Sequence, residues 1–117
     1  MTKRIQLITH VVVGYPTLKD TINIVQTMAK NGVDMVELQI PFSDPLADGP
    51  TIMRACEASL RNGTRVKDAF AIMAILSSRV SIPLLFMAYY NTVFRYGTAR
   101  FCKDAKAAGA SGLIVPD

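Results

Sequence analysis

The sequence predicts an α/β fold built from successive parallel strand–helix units, four strands in all. Three observations predict it. Short apolar runs alternate with longer stretches in which apolar residues recur at helical spacing. Gly, Asn and Pro punctuate most of the boundaries between them. The second and third runs carry the apolar content expected of strands covered by helices, which marks a parallel sheet. Alternation on this spacing implies right-handed βαβ units.

Ile5 to Val13 reads as the first strand, and Gly14-Tyr15-Pro16 turns the chain. Thr17 and Asp20 have capping-box spacing, Leu18, Ile22, Val25 and Ala29 follow on one helical face, and Asn31-Gly32 stops that helix. Met35 to Ile40 is the second strand. Pro50 suits the first turn of a helix carrying Ile52, Cys56 and Leu60 and ending at Asn62-Gly63. A further helix starts near Thr64 and places Ala69, Ile72, Met73 and Leu76 together. Pro83 to Tyr89 is the third strand. Thr98 caps a helix with Phe101, Ala105 and Ala108 inward, and Gly112 to Pro116 is the fourth strand. Helices are expected on the outer face of the sheet, and Val11, Val36 and Leu85 on its inner face.

Composition narrows the function classes. Half of the 117 residues are apolar, enough for the core of one domain. The net charge of +4 comes from scattered Lys and Arg with no motif for reading bases, which argues against nucleic acid. Cys56 and Cys102 lack paired spacing and read as reduced packing residues, and no metal-ligand spacing surrounds His10. No leader pattern opens the chain and no apolar run approaches about 18 residues, so the expectation is a cytoplasmic protein without a membrane segment.

The chemistry is concentrated between Val36 and Pro50. Glu37 sits inside an apolar strand, and eleven residues on Asp48 lies in a loop punctuated by Pro41, Pro45, Gly49 and Pro50. Burial disfavours an ionised carboxylate, so Glu37 needs either a partner or a job. The loop opens at the C-terminal end of a strand, where α/β folds place their chemistry. The residues alone leave structural roles open: Glu37 as a hydrogen-bonded buried acid, and Asp48 as a turn residue or helix cap. His10 reads as a packed, hydrogen-bonded strand residue, Tyr89 as a wall residue, and the methionines as core filler.

Glu37-Leu38-Gln39-Ile40-Pro41-Phe42-Ser43-Asp44-Pro45-Leu46-Ala47-Asp48-Gly49-Pro50 resembles the signature of the tryptophan synthase α subunit family. Gly14-Tyr15-Pro16, Met87-Ala88-Tyr89-Tyr90-Asn91, Phe94-Arg95-Tyr96-Gly97 and Gly112 to Asp117 match further family segments in order. The resemblance implies a TIM barrel, here (β/α) units ending after the fourth strand: a half-barrel, with residues 1–117 as the N-terminal portion of one barrel domain. It also implies a lyase that splits indole-3-glycerol phosphate into indole and glyceraldehyde 3-phosphate in tryptophan biosynthesis. Glu37 would transfer protons and Asp48 would stabilise positive charge at the indole N–H. Phe42, Ile52, Met87 and Ile114 would grip the indole, and Asp44, Pro45 and Asn91 would face a β subunit or mobile loops. No cofactor is implied for this chain, since pyridoxal phosphate is expected only on the β subunit.

Two positions depart from the family pattern. Gln39 stands where the family has glycine, on the same strand face as Glu37, where it would crowd the indole or hydrogen-bond the catalytic carboxyl. His10 replaces an aromatic lining residue. The family's later strands and phosphate-binding loops lie beyond Asp117, so the 117 residues alone are expected to be inactive. The alternative is a decayed, non-catalytic α-like chain that binds or modulates a β subunit. A different phosphate-binding barrel enzyme fits the loop less well.

Overall fold

A computed structural model describes residues 4–117. Four strands form one sheet: β1 (Ile8–Val12), β2 (Met35–Gln39), β3 (Leu84–Met87) and β4 (Gly112–Ile114). Their order is β1-β2-β3-β4, with every neighbouring pair parallel. The helices are α1 (Leu18–Lys30), α2 (Pro50–Arg61), α3 (Val66–Arg79), α4 (Tyr90–Tyr96) and α5 (Thr98–Ala107). The expected strand order and direction hold, although each strand is shorter than its apolar run.

Local chemistry sets the helix ends. Thr17 caps α1 by accepting from the Asp20 N–H (3.1 Å), and its hydroxyl donates to the Asp20 carboxylate (2.8 Å). Pro50 opens α2 as expected. Gly97, at φ +104°, rather than Thr98 occupies the position before α5, because α4 ends there and the chain must reverse in a conformation that glycine tolerates. α4 is an additional helix, between the third strand and the helix that the sequence predicts after Thr98. Its seven residues are rich in aromatic and β-branched types with low helix propensity, and tertiary packing of Val93 holds them.

The register gives each face of the sheet its role. Val36, Leu38 and Ile40, with Leu84, Phe86 and Ala88, point toward α1, α3 and α5 and are 0–2 % exposed. Val25, Met73, Leu76 and Phe101 complete this outer core. Phe70, Phe86 and Phe101 meet edge to face, with centroids 5.3–6.3 Å apart. Val11 and Val36 therefore belong to the helix-covered face, not to the inner face expected for them, because odd and even positions of a strand take opposite sides. Leu85 does lie on the inner face, paired with Glu37 and Gly112.

α2 is the exception to the outer layer. Ile52, Ala55 and Cys56 pack on Val12 in a second, smaller core, and Ser59 donates to the Val13 carbonyl (2.6 Å). The helix thus rests on the C-terminal rim of β1, beside Gln39. Gly14 makes this closeness possible: a Cβ there would lie 2.5 Å from the Ser59 hydroxyl and 2.3 Å from that of Thr64.

Candidate active site

Glu37 and Gln39 lie on the inner face of β2. In the β1–β2 register His10 stands opposite Glu37 and Val12 opposite Gln39. His10 Nδ1 is 2.8 Å from Glu37 Oε1, and His10 Nε2 is 2.6 Å from Gln39 Oε1. The Gln39 amide donates to Asp48 Oδ2 (2.9 Å) and approaches Cys56 Sγ (3.5 Å). Tyr89, just past β3, donates its hydroxyl hydrogen to the same Asp48 oxygen (2.9 Å) and accepts from the Ala47 N–H (2.9 Å). One hydrogen-bonded chain therefore joins β1, β2, the β2–α2 loop and the end of β3.

Burial is graded along this chain. Gln39 is fully buried and Tyr89 is 1 % exposed, whereas the side chains of His10 and Glu37 are each 26 % exposed. Among the described residues, the polar partner that Glu37 meets on the inner face is His10. Burial, then the hydrogen bond to Asp48, pushes the Tyr89 phenol above its ordinary range. Burial likewise pushes the Cys56 thiol up, which keeps it a neutral packing group near neutral pH.

The other expected site residues divide by location. Met87 and Ile114 continue the row of Val12 and Gln39 across the inner face, Met87 nearly buried and Ile114 half-buried. Ile52 joins the small core beside them. Phe42 is set apart from that row. It stacks on Tyr89 (5.4 Å between centroids) and lines a rim groove of about 420 Å³ with Asn91, Thr92 and Arg95. Asp44 and Asn91 are exposed.

Pro45 is not. It is buried and its carbonyl accepts the Asp48 N–H (3.0 Å), closing the turn that delivers Asp48, so the exposed residue at the loop tip is Leu46, 90 % accessible. Gln39 also differs from expectation: it bonds the Asp48 carboxylate and His10, and reaches Glu37 only through His10. Tyr89 is the residue that sequence reasoning undervalued. The available signal was a tyrosine at a strand's C-terminal end, since a buried phenol must find a polar partner.

Among the described residues no cluster of three or more His, Cys, Asp and Glu side chains could hold a metal ion, and no helix is long and apolar enough to cross a membrane. A cleft of about 550 Å³ lies between the start of α1 and the α2–α3 turn and is lined by Thr17, Lys19, Asn62 and Asp68, away from both site carboxylates.

A parallel sheet of (β/α) units with its polar network at the strands' C-terminal ends defines half of a (β/α)8 barrel of the enzyme-bearing kind. The family described as "Tryptophan synthase alpha chain" matches residues 1–117. The tryptophan synthase alpha chain of Desulfotalea psychrophila is 52% identical over 115 residues, 98% of this chain and 45% of that protein. That of Dehalococcoides mccartyi is 46% identical over the same shares. Tryptophan synthase of M. tuberculosis superposes with a TM-score of 0.92 at 41% identity, over 97% of this chain and 46% of the other. A mutant tryptophan synthase alpha-subunit of Pyrococcus furiosus gives 0.92 at 37% identity, over 96% and 46%. The chain belongs to the tryptophan synthase alpha chain family, and it spans less than half the length of these relatives. The alpha chain of that family has no cofactor; pyridoxal phosphate belongs to the β subunit.

Proposed function

We propose that these residues form the acid–base half of a lyase site that cleaves indole-3-glycerol phosphate to indole and glyceraldehyde 3-phosphate. The observation that carries the reading is the shared network: Glu37 and Asp48 are linked through His10 and Gln39 at the mouth of the sheet. The retro-aldol cleavage needs a proton delivered to the indole ring carbon and one removed from the glycerol hydroxyl, which together balance. Glu37, on the inner face beside His10, performs both transfers. Protonating the ring leaves positive charge at the indole nitrogen, and Asp48, held by Tyr89 and Gln39, stabilises it.

Met87, Ile114 and Ile52 supply the apolar bed beside that pair, with Phe42 at its rim. Asp44 and Asn91 present polar contacts to a β subunit, which carries the pyridoxal phosphate. Residues 1–117 act as the N-terminal portion of a single barrel domain in a cytoplasmic enzyme, neither nucleic acid nor membrane being a partner. The non-catalytic reading draws on Gln39 and on the later strands that lie beyond Asp117. In the structure Gln39 secures Asp48 instead of displacing it, which favours the catalytic reading.

The test is indole release by the full-length protein. Asp48→Asn is expected to lower turnover by roughly two to three orders of magnitude, the scale for losing a group preorganised toward developing charge. Tenfold or less would remove Asp48 from the mechanism.

A further inference from the structure

Hydrogen-bond direction along the network places a proton. The Ala47 N–H can only donate, so the Tyr89 oxygen accepts there and sends its own hydrogen to Asp48 Oδ2. That oxygen also takes the Gln39 Nε2–H, which turns Gln39 Oε1 toward His10. An amide oxygen only accepts, so His10 must carry hydrogen on Nε2. The other ring nitrogen, Nδ1, then faces Glu37 Oε1 at 2.8 Å. A bare Nδ1 against an ionised carboxylate would set two lone pairs at hydrogen-bond distance, so one proton must lie between them.

We infer that Gln39 and His10 form a positioning relay, in which Gln39 fixes the His10 tautomer and His10 Nδ1 shares with Glu37 the proton used in catalysis. The inference deepens the lyase reading and acts on the same carboxylate. His10 and Gln39 reach the reaction only through Glu37 and Asp48. When Glu37 gives its proton to the ring carbon, the pair is left as an Nε2–H imidazole and a carboxylate. The glycerol hydroxyl proton restores it, so no proton is gained or lost over the cycle. The ionisable groups that meet in the network are His10 of β1, Glu37 of β2, Asp48 of the loop, Cys56 of α2 and Tyr89 after β3. Both departures from the family pattern thereby take one role: the glutamine and the histidine bond each other.

Long-range proton–nitrogen NMR of the ¹⁵N-labelled full chain reads the ring nitrogens of His10 directly, with His10→Phe assigning the signals. The expected neutral form is Nε2–H. In Gln39→Met, which preserves bulk but offers no hydrogen bond, the balance is expected to move about tenfold toward Nδ1–H, which donates straight to Glu37. An Nδ1–H neutral form in the unmodified chain, or a ratio that Gln39→Met leaves unmoved, would overturn the relay. The unmodified chain's tautomer decides the matter even if Gln39→Met fails to fold. In turnover, Gln39→Met is expected to lower kcat about tenfold and shift its pH profile while KM holds, as outer partners of reacting groups do. Because the NMR readout needs no substrate, an Nε2–H tautomer in a protein that releases no indole would reject the lyase reading and retain the relay. Indole release with an Nδ1–H tautomer would do the reverse.

Discussion

Glu37→Gln is expected to abolish indole release by the full-length protein while leaving substrate binding largely intact. The amide matches the carboxylate in shape but cannot cycle a proton, and loss of a general acid–base group costs roughly two to four orders of magnitude in rate. The geometry adds a second loss: an amide facing His10 Nδ1 cannot hold the shared proton, so the histidine cannot substitute for the missing acid. Single-turnover indole formation gives the rate, and calorimetric titration with indole-3-glycerol phosphate, which the variant would not consume, gives the affinity. Turnover within tenfold of the unmodified protein would mean that Glu37 is not the acid–base group.

The largest effect on stability is expected at Phe86. Its ring is fully buried between the sheet and α3 and α5, in contact with Phe70 and Phe101. Truncating such a ring removes transfer free energy and leaves a cavity, so Phe86→Ala is expected to destabilise the fold by about 3–5 kcal/mol. That is a large share of the roughly 5–15 kcal/mol that usually separates a folded domain from its unfolded chain. Phe94 provides the control: 65 % exposed on α4, its truncation is expected to change stability by no more than about 0.5 kcal/mol. Urea midpoints measure both, and equal midpoints for the two variants would contradict the assignment of the core.

The parts of this structure that local chemistry determines were legible from residues alone. Four short strands with Gly, Asn and Pro at most of their boundaries, the Thr17 cap and the Pro50 helix start each follow from short-range physics, and all recur in the structure. The existence of a carboxylate site was legible too, because Glu37 in an apolar strand had to be explained. What stayed hidden depends on register and on packing between distant segments. Whether Val36 or Glu37 faces the helices cannot be read from an apolar run, since both phases of the strand fit it until pairing selects one. The resemblance has Pro45 face a β subunit or mobile loops, whereas the chain buries it in the turn that presents Asp48. The His10–Gln39 contact joins residues 29 apart in the chain, and only the parallel register of β1 and β2 brings them to 2.6 Å. α4 escaped notice because a seven-residue helix, about two turns, carries no periodic signal long enough to read.

The unequal size of the two cores has a dynamic consequence. α1, α3 and α5 share one large apolar interior with the sheet, whereas α2 packs on Val12 through Ile52, Ala55 and Cys56, with the Ser59 hydrogen bond to the Val13 carbonyl beside them. Segments open independently at a free-energy cost that follows the contacts they must break, so α2 belongs to a less expensive opening unit than those three helices. Its amides would then exchange with solvent well ahead of those of β2. Asp48 is joined to that unit through Gly49, while His10 and Glu37 ride on the strands. A brief excursion of α2 would carry one carboxylate out of alignment and leave the other in register. The two carboxylates thus combine a fixed member with an adjustable one, and the adjustable one is where slow breathing of the chain would be felt.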